Sequence, residues 1–224
     1  MTYLVDMDET RVAAGKLTEW MMKWEQDRCF NTSCSDISKV PLLDPELKGG
    51  LWLGNVMGLY AIHQGDFVVD VVISMCPERD MPEFVLPGVE RFVYPLIDSG
   101  SDQQTELMRK SVVEISDIIH RRIQEDKRVY VHCVAGMSRS ATVVLHYLIT
   151  RIFDKVADSS YDRVRLALES LKGWRPIVYP NQGYLCVLLE ASANPEGVVS
   201  ERPNPEGVVS ERPKGANERE PKAN

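Results

Sequence analysis

Apolar side chains recur along this chain with changing period, and the changes mark its elements. Between Ala13 and Asp27, Leu17, Trp20, Met21 and Trp24 stand at i, i+3, i+4 and i+7 with charges opposite, which predicts an amphipathic helix packed on the rest of the domain. Cys29 to Lys48 has no such period and carries Asn31, Ser33, Ser35 and Pro41, as a loop does. Leu51–Leu53 predicts a short strand, and Asn55 a cap for a short helix through Ile62. Val68–Ser74 is β-branched and apolar, as a strand buried on both faces should be, and Phe92–Leu96 predicts another. Asp102 is placed to cap a long helix to about Glu125, with Met108, Val112, Ile115 and Ile119 on one face. Val129–Cys133 predicts a strand, followed by a short loop and a helix from Arg139 to about Phe153. Two more helices follow, Ser160–Lys172 with Val164, Leu168 and Leu171 inward, and Asn181–Ala191. Strands interleaved with helices predict a single layered α/β domain. Its central, mainly parallel sheet has about five strands flanked by helices, and such sheets place their chemistry in the loops at strand ends.

Composition divides the chain. From Ala191 onward there is no aromatic residue, Pro occurs five times, and Asn194–Pro203 repeats identically as Asn204–Pro213. A ten-residue unit with only Val-Val as apolar content cannot offset its ordering entropy, so a disordered tail is expected over 191–224. The remaining division is an N-terminal segment over 1–45, carrying the amphipathic helix, and a core domain over 46–190. The balance of 26 Lys+Arg against 33 Asp+Glu, a net charge of −7, gives no electrostatic reason to expect nucleic acid or an anionic membrane as the partner. Five cysteines are too few and too odd in number for a disulfide-stapled secreted fold. Met1–Asp6 has no basic region or long apolar run, and Thr2 stands where myristoylation needs Gly, so no signal peptide, membrane span or lipid anchor is expected. These features predict a soluble protein with reduced thiols, cytoplasmic, with the nucleus as the alternative. Cys29 and Cys34 lack a second ligand pair, and His63, His120 and His146 are scattered without carboxylates at ligand spacing, so no metal and no cofactor are expected.

The loop after Val129–Cys133 concentrates the chemistry: His132-Cys133-Val134-Ala135-Gly136-Met137-Ser138-Arg139-Ser140. Cys133 ends a buried strand and faces the N-terminus of the next helix, where loop N–H groups and the helix dipole favour negative charge and therefore the nucleophilic thiolate. Gly136 permits the turn that aims successive N–H groups inward. Arg139 supplies a planar fork matching two phosphoryl oxygens, and Ser140 is placed to donate to the sulfur as it leaves. Five such positions coincide by chance, at about 5% usage each over about 220 starts, with a frequency of roughly 10⁻⁴. The pattern is a cradle for a tetrahedral dianion, lined by Val134 to Arg139, with a nucleophile at its base.

The segment HCVAGMSRS resembles the His-Cys-x5-Arg-Ser signature of cysteine-dependent phosphatases, specifically the dual-specificity protein phosphatases. Leu51-Trp52-Leu53-Gly54-Asn55 is similar to that family's opening strand and turn. Arg175-Pro176 with Pro180-Asn181-Gln182-Gly183-Tyr184-Leu185 resembles its closing RP…PNxGFL segment, with Tyr for Phe. The resemblance runs from about Val40 to Glu190 and points to the atypical, single-domain members. It implies metal-independent hydrolysis of phosphomonoesters on phosphotyrosine and phosphoserine/threonine proteins through a phosphocysteine. Cys133 is then the nucleophile, Arg139 and the loop N–H groups the oxyanion site, Ser140 an aid to sulfur departure, and His132 a support for the thiolate from behind. The family also needs an acid. Asp98 in Tyr94-Pro95-Leu96-Ile97-Asp98, 35 residues before Cys133, resembles that position, with Asp102 as the second candidate. Cys76, in Ser74-Met75-Cys76-Pro77, falls where the superfamily's tumour-suppressor lipid phosphatase carries a thiol that traps the oxidised nucleophile.

Val134, Ala135 and Met137 are uncharged, whereas phosphoinositide phosphatases of the superfamily tend to carry Lys there, and RNA 5′-triphosphatases have Asn-Arg-Thr where this chain has Ser138-Arg139-Ser140. Phosphoproteins, kinases among them, are therefore the expected partners. The rivals are a weakly active or inactive phosphoprotein-binding scaffold, and a phosphatase acting on phosphoinositide or RNA 5′ phosphate. The oligomeric state is left open.

Overall fold

The computed structural model describes residues 6–26, 35–42, 48–153 and 156–194. The Cys29 and Cys34 pair and the tandem repeat past Asn194 lie outside them. Five strands form one sheet: β1 (Ile37–Val40), β2 (Gly50–Gly54), β3 (Val71–Ser74), β4 (Glu90–Val93) and β5 (Arg128–His132), in the order β1-β2-β5-β3-β4. β1 is antiparallel to β2, and the other pairings are parallel. Six helices accompany the sheet: α1 (Met7–Gln26), α2 (Gly58–Gln64), α3 (Asp102–Gln124), α4 (Arg139–Arg151), α5 (Ser160–Trp174) and α6 (Gln182–Ala193). Among the described residues, no helix is long and apolar enough to cross a membrane.

The pleat separates two apolar layers. Leu51, Leu53, Val71, Ile73, Val129 and Val131 face the main core, which α1, α3, α4, α5 and α6 complete, whereas Val72 and Tyr130 face the smaller layer under α2. β3 is buried at all four positions, as its unbroken apolar run requires, but it starts at Val71. Asp70 ends the preceding segment, its carboxylate accepting from Arg128 N at 2.8 Å and Nε at 3.1 Å. β4 is also shorter than predicted, because Pro95, just past it, has no N–H to continue the ladder. α1 packs Ala14, Leu17 and Met21 into the main core, so the stripe read along its sequence is the buried face.

Three expectations about local structure need correction. The segment from Cys29 to Lys48, expected to be a loop, contains the edge strand β1; a four-residue strand is too short for a periodic signal. Ser101, not Asp102, caps α3, its Oγ accepting from Gln104 N. α2 begins at Gly58, after Met57. Asn55 still stabilises the turn ahead of it, accepting from Met57 N at 2.9 Å and Gly58 N at 3.3 Å.

Candidate active site

The β5–α4 loop sits at the carboxyl end of the central strand, with the neighbouring elements holding it from outside. Five successive carbonyls turn away from the loop's centre and are satisfied there. Val134 O accepts from Val56 N at 3.1 Å and Met137 O from Tyr179 N at 2.9 Å. Ala135 O and Gly136 O accept from Arg175 Nη2 and Nε at 3.2 and 2.8 Å. Ser138 O accepts from Thr142 N at 2.8 Å. With the carbonyls committed outward, the peptide planes aim their N–H groups at the centre, as an anion nest requires. Gly136, at φ 68°, is the residue that allows this reversal. A Cβ there would also collide with Gly54 O and Arg175 Nη2.

Cys133 Sγ lies at the floor of this ring, 1% exposed. It accepts from Gly136 N and from Ser140 Oγ, both at 3.2 Å. Two donors converging on one sulfur stabilise a thiolate and, in any reaction, its return as a leaving group. The first turn of α4 begins immediately beyond, and Ser138 at its N-cap position makes no side-chain cap. The helix's free N–H groups and its dipole thus remain available to an anion above the sulfur.

His132 is fully buried behind the loop. Burial pushes its pKa down to about 4, so the imidazole is neutral. Nδ1–H then donates to Cys133 O at 3.3 Å, and Nε2 accepts from Ser74 Oγ at 2.8 Å. The ring braces the backbone at Cys133.

Arg139 is 8% exposed. Nη1 donates to Leu96 O at 3.0 Å, which fixes the guanidinium plane. Its Nε is buried, makes no hydrogen bond among the described residues, and ion-pairs with Asp98 Oδ2 at 3.6 Å. A fixed guanidinium with an unspent N–H at the rim of an N–H ring is suited to two oxygens of a tetrahedral anion.

Asp98 comes from the β4–α3 connection and its side chain is 29% exposed. Oδ1 accepts from Ser138 Oγ at 2.9 Å and from Asn181 Nδ2 at 2.8 Å. The structure therefore brings Asp98 to the ring, together with Cys133, Arg139, Ser140 and His132, while Asp102 is an exposed first-turn residue of α3. Cys76 lies just past β3, whose Ser74 is opposite His132 of β5. It is fully buried in the α2-side layer, and that burial pushes its thiol up to about 11. Cys186 on α6 belongs to the main core.

Sequence reasoning did not find the supports of this ring. Arg175 is completely buried, and all four of its hydrogen-bond partners among the described residues are neutral oxygens, those of Gly136, Ala135, Ser35 and Ser38. The resemblance of Arg175-Pro176 to the closing RP segment marked this arginine, but nothing local showed that it reaches the anion-binding loop. Asn181 carries a visible signal as the N-cap of α6, accepting from Tyr184 N, but its second bond to Asp98 spans 83 residues.

Comparison with known proteins agrees with this geometry. Residues 51–194 match the family described as "Dual specificity phosphatase, catalytic domain". The chain is 28% identical over 135 residues to a putative tyrosine phosphatase, 123R, of Invertebrate iridescent virus 6, covering 60% of this chain and 82% of the viral protein. It is also 28% identical over 135 residues to dual specificity protein phosphatase 22 of Homo sapiens, covering 60% of this chain and 66% of that protein. Among solved structures, DUSP15 superposes with a TM-score of 0.52 at 26% identity, covering 66% of this chain and 86% of that one.

Proposed function

The chain belongs to the dual-specificity phosphatase family, and from that premise we propose how its residues carry out the reaction. It is a protein tyrosine/serine/threonine phosphatase. The catalytic domain is assigned to residues 46–190, with α1 as a packed addition to it. The proposed reaction is two in-line displacements. Cys133 Sγ attacks phosphorus and the P–O bond to the substrate breaks. Asp98 gives its proton to the departing oxygen, leaving a phosphocysteine and a carboxylate. Water then attacks phosphorus, gives its proton to Asp98, and the S–P bond breaks with Ser140 Oγ donating to the freed thiolate. Arg139 and the inward N–H groups of Val134, Ala135, Gly136, Met137, Ser138 and Arg139 hold the equatorial oxygens in both steps, a preorganised stabilisation that needs no rearrangement. His132 keeps the Cys133 backbone in register.

The observation that carries this reading is the convergence on one sulfur of Gly136 N and Ser140 Oγ, beneath an arginine and a carboxylate that other elements hold in place. The exposed loop side chains, Val134 and Met137, are apolar, which suits a monophosphorylated protein side chain better than a polyphosphate. The test is hydrolysis of p-nitrophenyl phosphate by wild type, Cys133→Ser and Asp98→Ala. Wild type should turn over, Cys133→Ser should be inactive, and acid-quenched wild type should carry one phosphoryl group on the Cys133 peptide. Equal rates in wild type and Cys133→Ser would sink the assignment.

A further inference from the structure

We infer that Asn181 is a positioning residue for the general acid and that, with Ser138, it decides which oxygen of Asp98 carries the transferred proton. The inference rests on Asp98 acting as that acid. A carboxylate oxygen has two in-plane lone pairs, and a proton needs one of them. Asp98 Oδ1 already accepts from Ser138 Oγ at 2.9 Å and Asn181 Nδ2 at 2.8 Å, so both its lone pairs are engaged. Among the described residues Oδ2 accepts no hydrogen bond, and it pairs with Arg139 only through the longer ionic contact of 3.6 Å to Nε. The proton therefore resides on Oδ2, the oxygen on the Arg139 side of the ring.

Both donors are themselves oriented, which makes the arrangement a device for aiming the acid. The Asn181 amide cannot flip, because its Oδ1 accepts from Tyr184 N at 3.0 Å at the start of α6. A flipped amide would set an oxygen against the carboxylate and an NH₂ against an N–H. The Ser138 hydroxyl accepts from Asn181 N at 3.3 Å, which leaves its own hydrogen directed at Asp98. Ser138 also stands at the N-cap position of α4 and makes no cap there, so its hydroxyl serves Asp98 instead. Asn181 thus ties three elements together: the α6 N-terminus, the anion-binding loop and the acid's connection. Asp98 itself belongs to an exposed stretch of chain, where a carboxylate without such ties would sample many rotamers.

Replacing Asn181 with Ser separates aiming from capping, since Ser keeps an acceptor for Tyr184 N and loses the Nδ2 donor. The full chain and its variants are assayed on phenyl phosphate, whose leaving oxygen needs a proton, and on 2,4-dinitrophenyl phosphate, whose leaving oxygen does not. In N181S, kcat/KM should fall about 10-fold on phenyl phosphate and less than about twofold on dinitrophenyl phosphate. N181A should show the same contrast with a lower melting temperature, because it also loses the cap. In a D98A background, adding N181S should cost less than about twofold on phenyl phosphate, since no acid is left to aim. Wild-type rates in N181S, equal losses on the two substrates, or a further loss in D98A would each overturn the inference while leaving the phosphatase assignment intact. An absence of Cys133-dependent turnover in the wild type would overturn both.

Discussion

Cys133 and Cys76 are both buried, yet their surroundings prepare them for different chemistry. Cys133 is held by two donors inside an anion nest, whereas Cys76 sits among apolar neighbours with its thiol pushed up to about 11. The proposed redox role uses that contrast. Peroxide oxidises the Cys133 thiolate to a sulfenic acid as its O–O bond breaks, and the Cys76 thiol then forms the S–S bond with loss of water. The two thiols follow adjacent parallel strands, and the Cys133 sulfur and the Arg139 guanidinium both act electrostatically on Cys76. Mild peroxide should therefore inactivate the wild type reversibly, with dithiothreitol restoring activity and peptide mapping finding a Cys76–Cys133 linkage. In Cys76→Ser no thiol traps the sulfenic acid, so a second peroxide should carry it to the sulfinic acid, which dithiothreitol does not reduce, and the variant should stay inactive. Equal recovery by the two proteins would remove the role. At this scale the sequence exposed the residues that meet the anion, because their types and spacing are chemically constrained. It marked Arg175 and Asn181 only as parts of a resembling segment and hid their roles, which depend on contacts 39 to 140 residues away.

Among the elements, α1 and the connection from α5 to α6 are bound together by a side chain with no catalytic part. Lys172 of α5 is fully buried. Its Nζ donates to Pro176 O and Val178 O, both at 2.9 Å, reaches Glu25 of α1 at 3.3 Å, and lies 4.6 Å from the centre of the Trp24 ring. The next residue of that connection, Tyr179, holds Met137 O of the anion-binding loop. Lys172→Met fills the space but leaves two carbonyls without their donor, and should lower the free energy of unfolding in urea by about 2 kcal/mol. Glu25→Gln should cost less than about 1 kcal/mol, because Glu25 is 45% exposed and its pairing is screened. Equal losses would show that the ion pair, rather than the carbonyl bonds, makes the tie. The five longer helices were legible because each carries apolar residues over three or more turns, whereas the seven-residue α2 was read from Asn55 ahead of it. β1 was not, because its placement depends on pairing with β2 rather than on a pattern of its own. The cap of α3 was misread by one residue, since Ser101 and Asp102 are both competent caps and only backbone geometry separates them.

The stability of the whole molecule should depend on pH through two buried histidines that belong to opposite ends of the argument about function. His132 braces the anion-binding loop, while His146, on α4, is 2% exposed in the core and takes no part in the chemistry. Burial lowers both pKa values to about 4, and for His146 the nearby Arg151 adds to the effect. His146 Nδ1–H donates to Ser116 Oγ at 2.7 Å, the tautomer that leaves Nε2, buried with no hydrogen-bond partner among the described residues, as the site for a further proton. A proton on His146 would therefore create a buried cation without an acceptor. In the unfolded chain each imidazole titrates near 6.5, so between about pH 6.5 and 4 the unfolded state binds more protons than the folded one. The stability these groups contribute is complete above that window and is lost as pH falls through it. From about pH 7.5 to 5 the loss amounts to about 2 kcal/mol for each histidine. Gln at position 146 keeps a donor for Ser116 and does not titrate. Urea midpoints measured across this range should fall steeply in the wild type and less steeply in His146→Gln, where His132 and the half-buried His120, whose pKa burial also lowers, supply the remaining slope. Carboxylates held ionised in the native state, such as Asp70, titrate mainly below this window and do not obscure the contrast. Parallel curves for the two proteins would mean that His146 protonates in place, and that α4 opens to water without global unfolding.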